Sequence, residues 1–160
     1  MTLYHASNVE VLEPRIIRSS RMLDFGFGFY TTTSRAQAER FARRVHERRG
    51  VGAPIVNVYS FDDSVAFGAL DVLHFERPDD AWLDFVAANR TGTYVGRKYD
   101  MVYGPVANDD VYRTINAYLG GFADREATIR NLLTRKLSDQ LVFASERSLA
   151  YLKHVSSEVL

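Results

Sequence analysis

Strand-like runs in this chain are short, the longest being the eight residues 54–61 (PIVNVYSF), and helical patterns fall between them without a regular rhythm. A steady strand–helix–strand alternation would signal a doubly wound parallel sheet. Its absence points to an α+β fold. Residues 2–5 (TLYH) read as a first strand, and Glu13-Pro14 as a turn. Residues 22–33 (MLDFGFGFYTTT) combine glycines and aromatics with a β-branched run. Ser34 can cap a helix reaching about Arg49, with Phe41 and Val45 on one face and Gly50 and Gly52 ending it. Further strands are expected at 54–61, 70–75, 99–103 and 139–144, and His154-Val155 closes a last one. Helices are expected from Pro78 to Asn89, from Asn108 or Asp109 to Leu119, from Asp124 to Leu133, and over a short segment capped by Ser145. Gly104-Pro105 should stop the strand before it.

A chain of 160 residues with no linker, repeat or low-complexity tract is expected to form one domain over 1–160. Hydrophobic content of 46% and charged content of 25% belong to a globular protein, not to a disordered or fibrous one. The 20 basic and 20 acidic residues cancel, so there is no global attraction to nucleic acid. Seventeen of the basic residues are Arg and three are Lys. Arg forks suit phosphate and carboxylate, although a GC-rich genome produces the same bias. With no cysteine, a disulfide framework, a thiol nucleophile and a thiolate metal site are excluded. No apolar run approaches the ~18 residues of a membrane span, and the N-terminal segment lacks the pattern of a signal peptide. The expected location is the cytoplasm.

Common catalytic motifs are missing. There is no phosphate-binding P-loop, no GxSxG elbow and no HExxH. His5, His46, His74 and His154 share no close spacing, and the pairs Asp79-Asp80 and Asp109-Asp110 read as helix starts. No metal is expected.

Three segments can carry chemistry, and each also has a plain structural explanation. The first is Leu3-Tyr4-His5-Ala6-Ser7, where an imidazole at a strand end precedes two small residues that let a flat ligand lie close to the chain. The alternative is a histidine that serves the fold. In the second, Asp24 to Thr33, Gly26 and Gly28 permit close backbone approach or positive φ, and Tyr30 opens a strand. Phe41 follows Tyr30 by eleven residues, and two such rings can sandwich a heteroaromatic ring. The alternative is that both fill the core. The third is Ser138 to Phe143, where Gln140 puts a carboxamide on an apolar strand. A ribose hydroxyl can satisfy a buried amide; otherwise Gln140 is a surface residue on an edge strand.

In this order, the three segments resemble the ADP-ribosyltransferase superfamily of the diphtheria-toxin and poly(ADP-ribose) polymerase type. GFGFYTTTSRAQAERF is similar to its glycine–tyrosine block, and DQLVF to its late strand. LYHASN, LDFGFGFYTTT, NRTGTYVGRKYD, YGPVANDDVY and SDQLVF resemble one bacterial family of unknown function placed in that superfamily, often beside a small antitoxin-like partner. The resemblance implies a split α+β fold, with two small antiparallel sheets facing an NAD cleft and helices at the periphery. It implies a catalytic trio of His5, Tyr30 and Gln140. His5 would bond the adenosine ribose, the Ala6 backbone the nicotinamide amide, and Ser7 would lie by the nicotinamide ribose. Tyr30 and Phe41 would sandwich nicotinamide, Gly28 would keep the turn open, and Arg21 would meet the diphosphate. Gln140 departs from the superfamily, which has Glu there. A carboxamide makes the same hydrogen bond but supplies no charge. Asp139 is its neighbour, yet strand alternation turns it to the opposite face.

The function implied is an NAD-dependent mono-ADP-ribosyltransferase, the toxin of a toxin–antitoxin pair, using NAD as substrate and no metal. Its partners would be a macromolecular acceptor, protein or nucleic acid, and a small antitoxin. The alternatives are an NAD glycohydrolase and a non-catalytic NAD- or ADP-ribose-binding module. The helix over residues 35–49 carries six Arg and two Glu, a net +4. Such a face either receives an acidic partner or is simply solvated.

Overall fold

The computed structural model describes residues 1–18, 23–105 and 109–160. Arg21 and Asn108 therefore lie outside the described residues, as does the side chain of Asp109. In chain order the elements are β1 (Thr2–Ser7), β2 (Phe29–Thr31), α1 (Arg35–Arg49), β3 (Ile55–Phe61), α2 (Asp63–Ala69), β4 (Val72–His74), α3 (Asp80–Arg90), β5 (Met101–Pro105), α4 (Asp109–Leu119), α5 (Arg125–Leu133), β6 (Asp139–Phe143), α6 (Glu146–Leu149) and β7 (Leu152–Val159). The architecture is mixed α+β, with two small open sheets.

The first sheet has the order β1-β3-β7 and is antiparallel throughout. The second has the order β2-β6-β5-β4. Its β2–β6 and β5–β6 pairs are antiparallel, but β4 runs parallel to β5. This corrects the expectation of two antiparallel sheets. The cause is local: β4, α3 and β5 form a single βαβ crossover, and a helical crossover returns the chain in the same direction. A single bridge, Tyr4 to Thr32, joins the sheets where β1 passes the end of β2.

Strand alternation divides the interior into layers. Leu3, Phe29, Tyr59, Phe61, Met101, Leu141 and Phe143 pack together between the sheets. Ala66 and Leu70 from α2, with Leu149 and Leu152 around α6, cover this core. On the other face of the second sheet, Val102 and Val142 meet Trp82, Leu83 and Val86 of α3, Val111 and Ile115 of α4, and Leu132 of α5. Helix α1 lays Ala38 and Ala42 on the outer face of the first sheet, against Val56 and Val58.

Local signals explain most boundaries. Ser34 and Asp79 cap α1 and α3 by accepting from the backbone N–H groups of Gln37 and Trp82. Ser145 and Ser148 form a reciprocal capping box on α6. Gly50, at φ 67°, ends α1 in the left-handed region. Other expectations needed correction. Gly104 and Pro105 belong to β5 instead of stopping it. The last strand is eight residues long, and α2 had no counterpart in the sequence reading. On α1, Arg35 pairs with Glu39 and Glu158, and Arg49 donates to Asn8, so part of its charge is internally matched. Among the described residues no helix is long and apolar enough to cross a membrane.

Candidate functional site

Of the residues singled out above, His5 lies at the seam between the two sheets, stacked on Phe29, whereas Tyr30 turns to the other face of the second sheet. His5 lies within β1, opposite Asn57. Its Nδ1 is 2.8 Å from the carbonyl oxygen of Tyr30, across the seam. A carbonyl only accepts, so Nδ1 is assigned the proton and Nε2 keeps a lone pair. The ring stacks on Phe29, with centroids 4.2 Å apart at 27°. Burial lowers the imidazole pKa to about 4, more than the Tyr30 carbonyl raises it, and Arg49 adds a smaller downward push. The imidazole is therefore neutral at physiological pH.

Tyr30 leaves β2 on the face opposite to Phe29 and packs with the α3–α5 layer. Its hydroxyl donates to the Gly26 carbonyl at 2.6 Å and accepts from the Phe25 N–H at 3.2 Å. The phenol thus closes the glycine turn, and burial pushes its pKa up. Gly26 adopts φ 79°, which favours glycine. Gly28 is needed for a different reason. A Cβ there would fall 2.5 Å from Val142 Cγ1 and 2.7 Å from the Phe143 carbonyl oxygen, so β6 itself excludes a side chain. Asp24 and Arg90 form a largely buried ion pair that ties the turn to α3. No local pattern links residues 66 apart.

Gln140 sits on β6 opposite Gly104 and two residues from Val142, which pairs with Tyr30. Alternation puts Gln140 and Tyr30 on one face. It is only 5% exposed, not the surface residue of the bland alternative. Its Nε2 is enclosed and has no hydrogen-bond partner among the described residues. A buried donor left without a partner costs about 1–3 kcal/mol.

Asp139 does face away, as alternation requires. Its carboxylate accepts from the Thr33 N–H at 2.9 Å, from the Thr33 hydroxyl at 2.6 Å and from the Thr32 hydroxyl at 3.1 Å. It clamps β6 to the start of α1.

The remaining predicted residues are spread around the seam. Ala6 faces α1. Ser7 is buried, and its Oγ accepts from the Val9 N–H at 3.3 Å. Phe41 is 49% exposed on α1 and makes no ring contact with Tyr30. The structure therefore joins His5 to Tyr30 through a carbonyl and places Gln140 on Tyr30's face. It does not bring the Tyr30 and Phe41 rings together.

One polar residue missed in the sequence is Asn57, fully buried in β3. Its carboxamide accepts from the Val11 N–H at 2.8 Å and donates to the Val9 carbonyl at 3.3 Å, pinning the loop after β1. An Asn inside the apolar run PIVNVYSF was the available signal. Beyond the seam, a hollow of about 320 Å³ opens between the loop after β4 and the start of β6. Among the described residues no group of three or more His, Asp or Glu is placed to hold a metal.

No curated protein and no solved structure matches the chain. The model of one family, described as a protein of unknown function (DUF3990), matches residues 1–154, and the chain belongs to that family.

Proposed function

We propose that this chain is an NAD-consuming ADP-ribosyltransferase in which Gln140 stands where the superfamily has its carboxylate. The observation that carries the reading is the enclosed, unpartnered Nε2 of Gln140 on the face shared with Tyr30. A ribose hydroxyl accepts from such an amide, and the carboxamide oxygen accepts in return. His5, neutral and with a lone pair left on Nε2, suits a second ribose hydroxyl. Phe41 offers an exposed ring for the flat nicotinamide.

In the reaction proposed, the bond between ribose C1′ and the pyridinium nitrogen breaks, and its electron pair leaves with nicotinamide. The acceptor nucleophile forms a new bond to C1′ and gives up its proton to solvent. Gln140 holds the ribose hydroxyl as positive charge develops, by dipole alone. The acceptor is a macromolecule, and a small antitoxin partner restrains the activity. The missing charge at Gln140 specifically favours one second reading, an NAD-binding module that performs no cleavage.

The test uses NAD labelled on the adenylate, whole-cell lysate, and protease or nuclease treatment of the products. Wild type is expected to label a macromolecule. Gln140→Leu should lose the label while keeping or raising the melting temperature, because it removes an unsatisfied amide without changing the shape much. Nicotinamide release with only free ADP-ribose would mean hydrolysis. Equal labelling by Gln140→Leu would overturn the site.

A further inference from the structure

The hollow at the far end of the second sheet has no part in the NAD reading. Its walls include His74, Glu76, Arg77, Tyr103 and Asp139, whereas His5, Tyr30 and Gln140 do not line it. At about 320 Å³ it is within the size range of small-molecule sites.

Its chemistry is specific. The imidazole of His74, on the edge strand β4, lies nearly flat on the Tyr103 ring, with centroids 4.6 Å apart at 5°. Phe67 runs parallel to Tyr103 as well, at 6.5 Å and 11°. His74 is exposed, so the ring column reaches solvent at the hollow. Arg77 and Glu76 are exposed too, and neither side chain has an ion-pair or hydrogen-bond partner among the described residues. Asp139 is already held by Thr32 and Thr33. The hollow therefore presents a flat aromatic platform, a free guanidinium and a free carboxylate.

Each group matches part of one ligand class. The platform suits a planar heteroaromatic ring. A guanidinium fork suits a phosphate. A carboxylate accepts from the amino or ring N–H edge of a base. Carboxylates on the rim work against a bare anion, so phosphate alone should gain little there. We propose that this hollow is a nucleotide-binding site, with the base stacked on His74 and the phosphate held by Arg77.

The test is titration calorimetry of the full chain with AMP, GMP, CMP and UMP in turn, with inorganic phosphate, and with a single-stranded trinucleotide. At least one mononucleotide is expected to bind saturably, and inorganic phosphate is not. His74→Ala should weaken binding by about fivefold or more, the low end for loss of one base-stacking contact. Arg77→Ala should weaken it by about tenfold, the scale of a hydrogen bond to a charged group. Both residues are exposed, and unchanged melting temperatures would establish intact folding. Tighter binding of the trinucleotide would identify the source as single-stranded nucleic acid, and equal binding a free nucleotide. Binding to neither, or binding that survives both substitutions, would overturn the site. Loss of binding in Gln140→Leu would also overturn it, by assigning the hollow to the NAD cleft. Because nucleotide binding is read without NAD, its failure is separable from failure of the transferase reading.

Discussion

Gln140→Glu is expected to release nicotinamide from NAD about 10²–10³ times faster than wild type, the scale of one transition-state electrostatic contact. The two side chains have nearly the same shape, so the change adds charge without adding bulk. Gln140 is 5% exposed, and charge counts for more where water is excluded. The same enclosure penalises the new carboxylate in the free protein. Its pKa should rise, and the gain in rate should grow as pH increases and the carboxyl ionises. The free variant should also melt below wild type at neutral pH, because a buried charge without a partner is costly. Nicotinamide release is followed by chromatography across a pH series. A rate equal to wild type at every pH would remove Gln140 from the reacting centre.

The second large effect is on stability in acid. The imidazole of His5 titrates near pH 4 in the folded protein, against 6.5 for the ordinary residue. As pH falls, the unfolded chain binds this proton first. The contribution of neutral His5 is therefore complete above about pH 6.5, is lost as pH falls, and has gone below about pH 4. At 1.36 kcal/mol per unit, the loss reaches at most about 3 kcal/mol. Urea denaturation of wild type and His5→Gln across this window measures the difference. Other groups titrate in both proteins and cancel. The wild-type curve should fall more steeply than the variant's between pH 6.5 and 4. Parallel curves would mean that His5 is not held neutral at the seam.

What could be read from the sequence follows from how local each signal is. The caps at Ser34, Asp79 and Ser145 were legible because one side chain meets a backbone N–H three residues on. The longer helices carried a periodic apolar face. β7 was nearly invisible, since LKHVSSEV has little apolar alternation. Its stability comes from pairing along β3, where Ser157 donates to the buried Asn57 carboxamide. A direction reversal such as β4 beside β5 is a property of the crossover, not of the three residues in β4.

The site shows the same division. His5, Gly28, Tyr30 and Gln140 stood out by residue type and order. Their geometry did not, because it depends on distant partners. Gly28 is required by Val142 and the Phe143 carbonyl, and the turn around it is held by Arg90. The stacked His74–Tyr103 pair joins residues on two strands, and no local pattern links them.

The central claim concerns one atom, the Nε2 of Gln140, which lacks a partner among the described residues. NAD titrated into ¹⁵N-labelled protein tests it most directly, with the Gln140 side-chain amide assigned by its absence from Gln140→Leu. The account predicts a saturable shift of that amide and slower exchange of its protons as a ribose hydroxyl takes up the bond. A Gln140 amide that does not move at saturating NAD would contradict it.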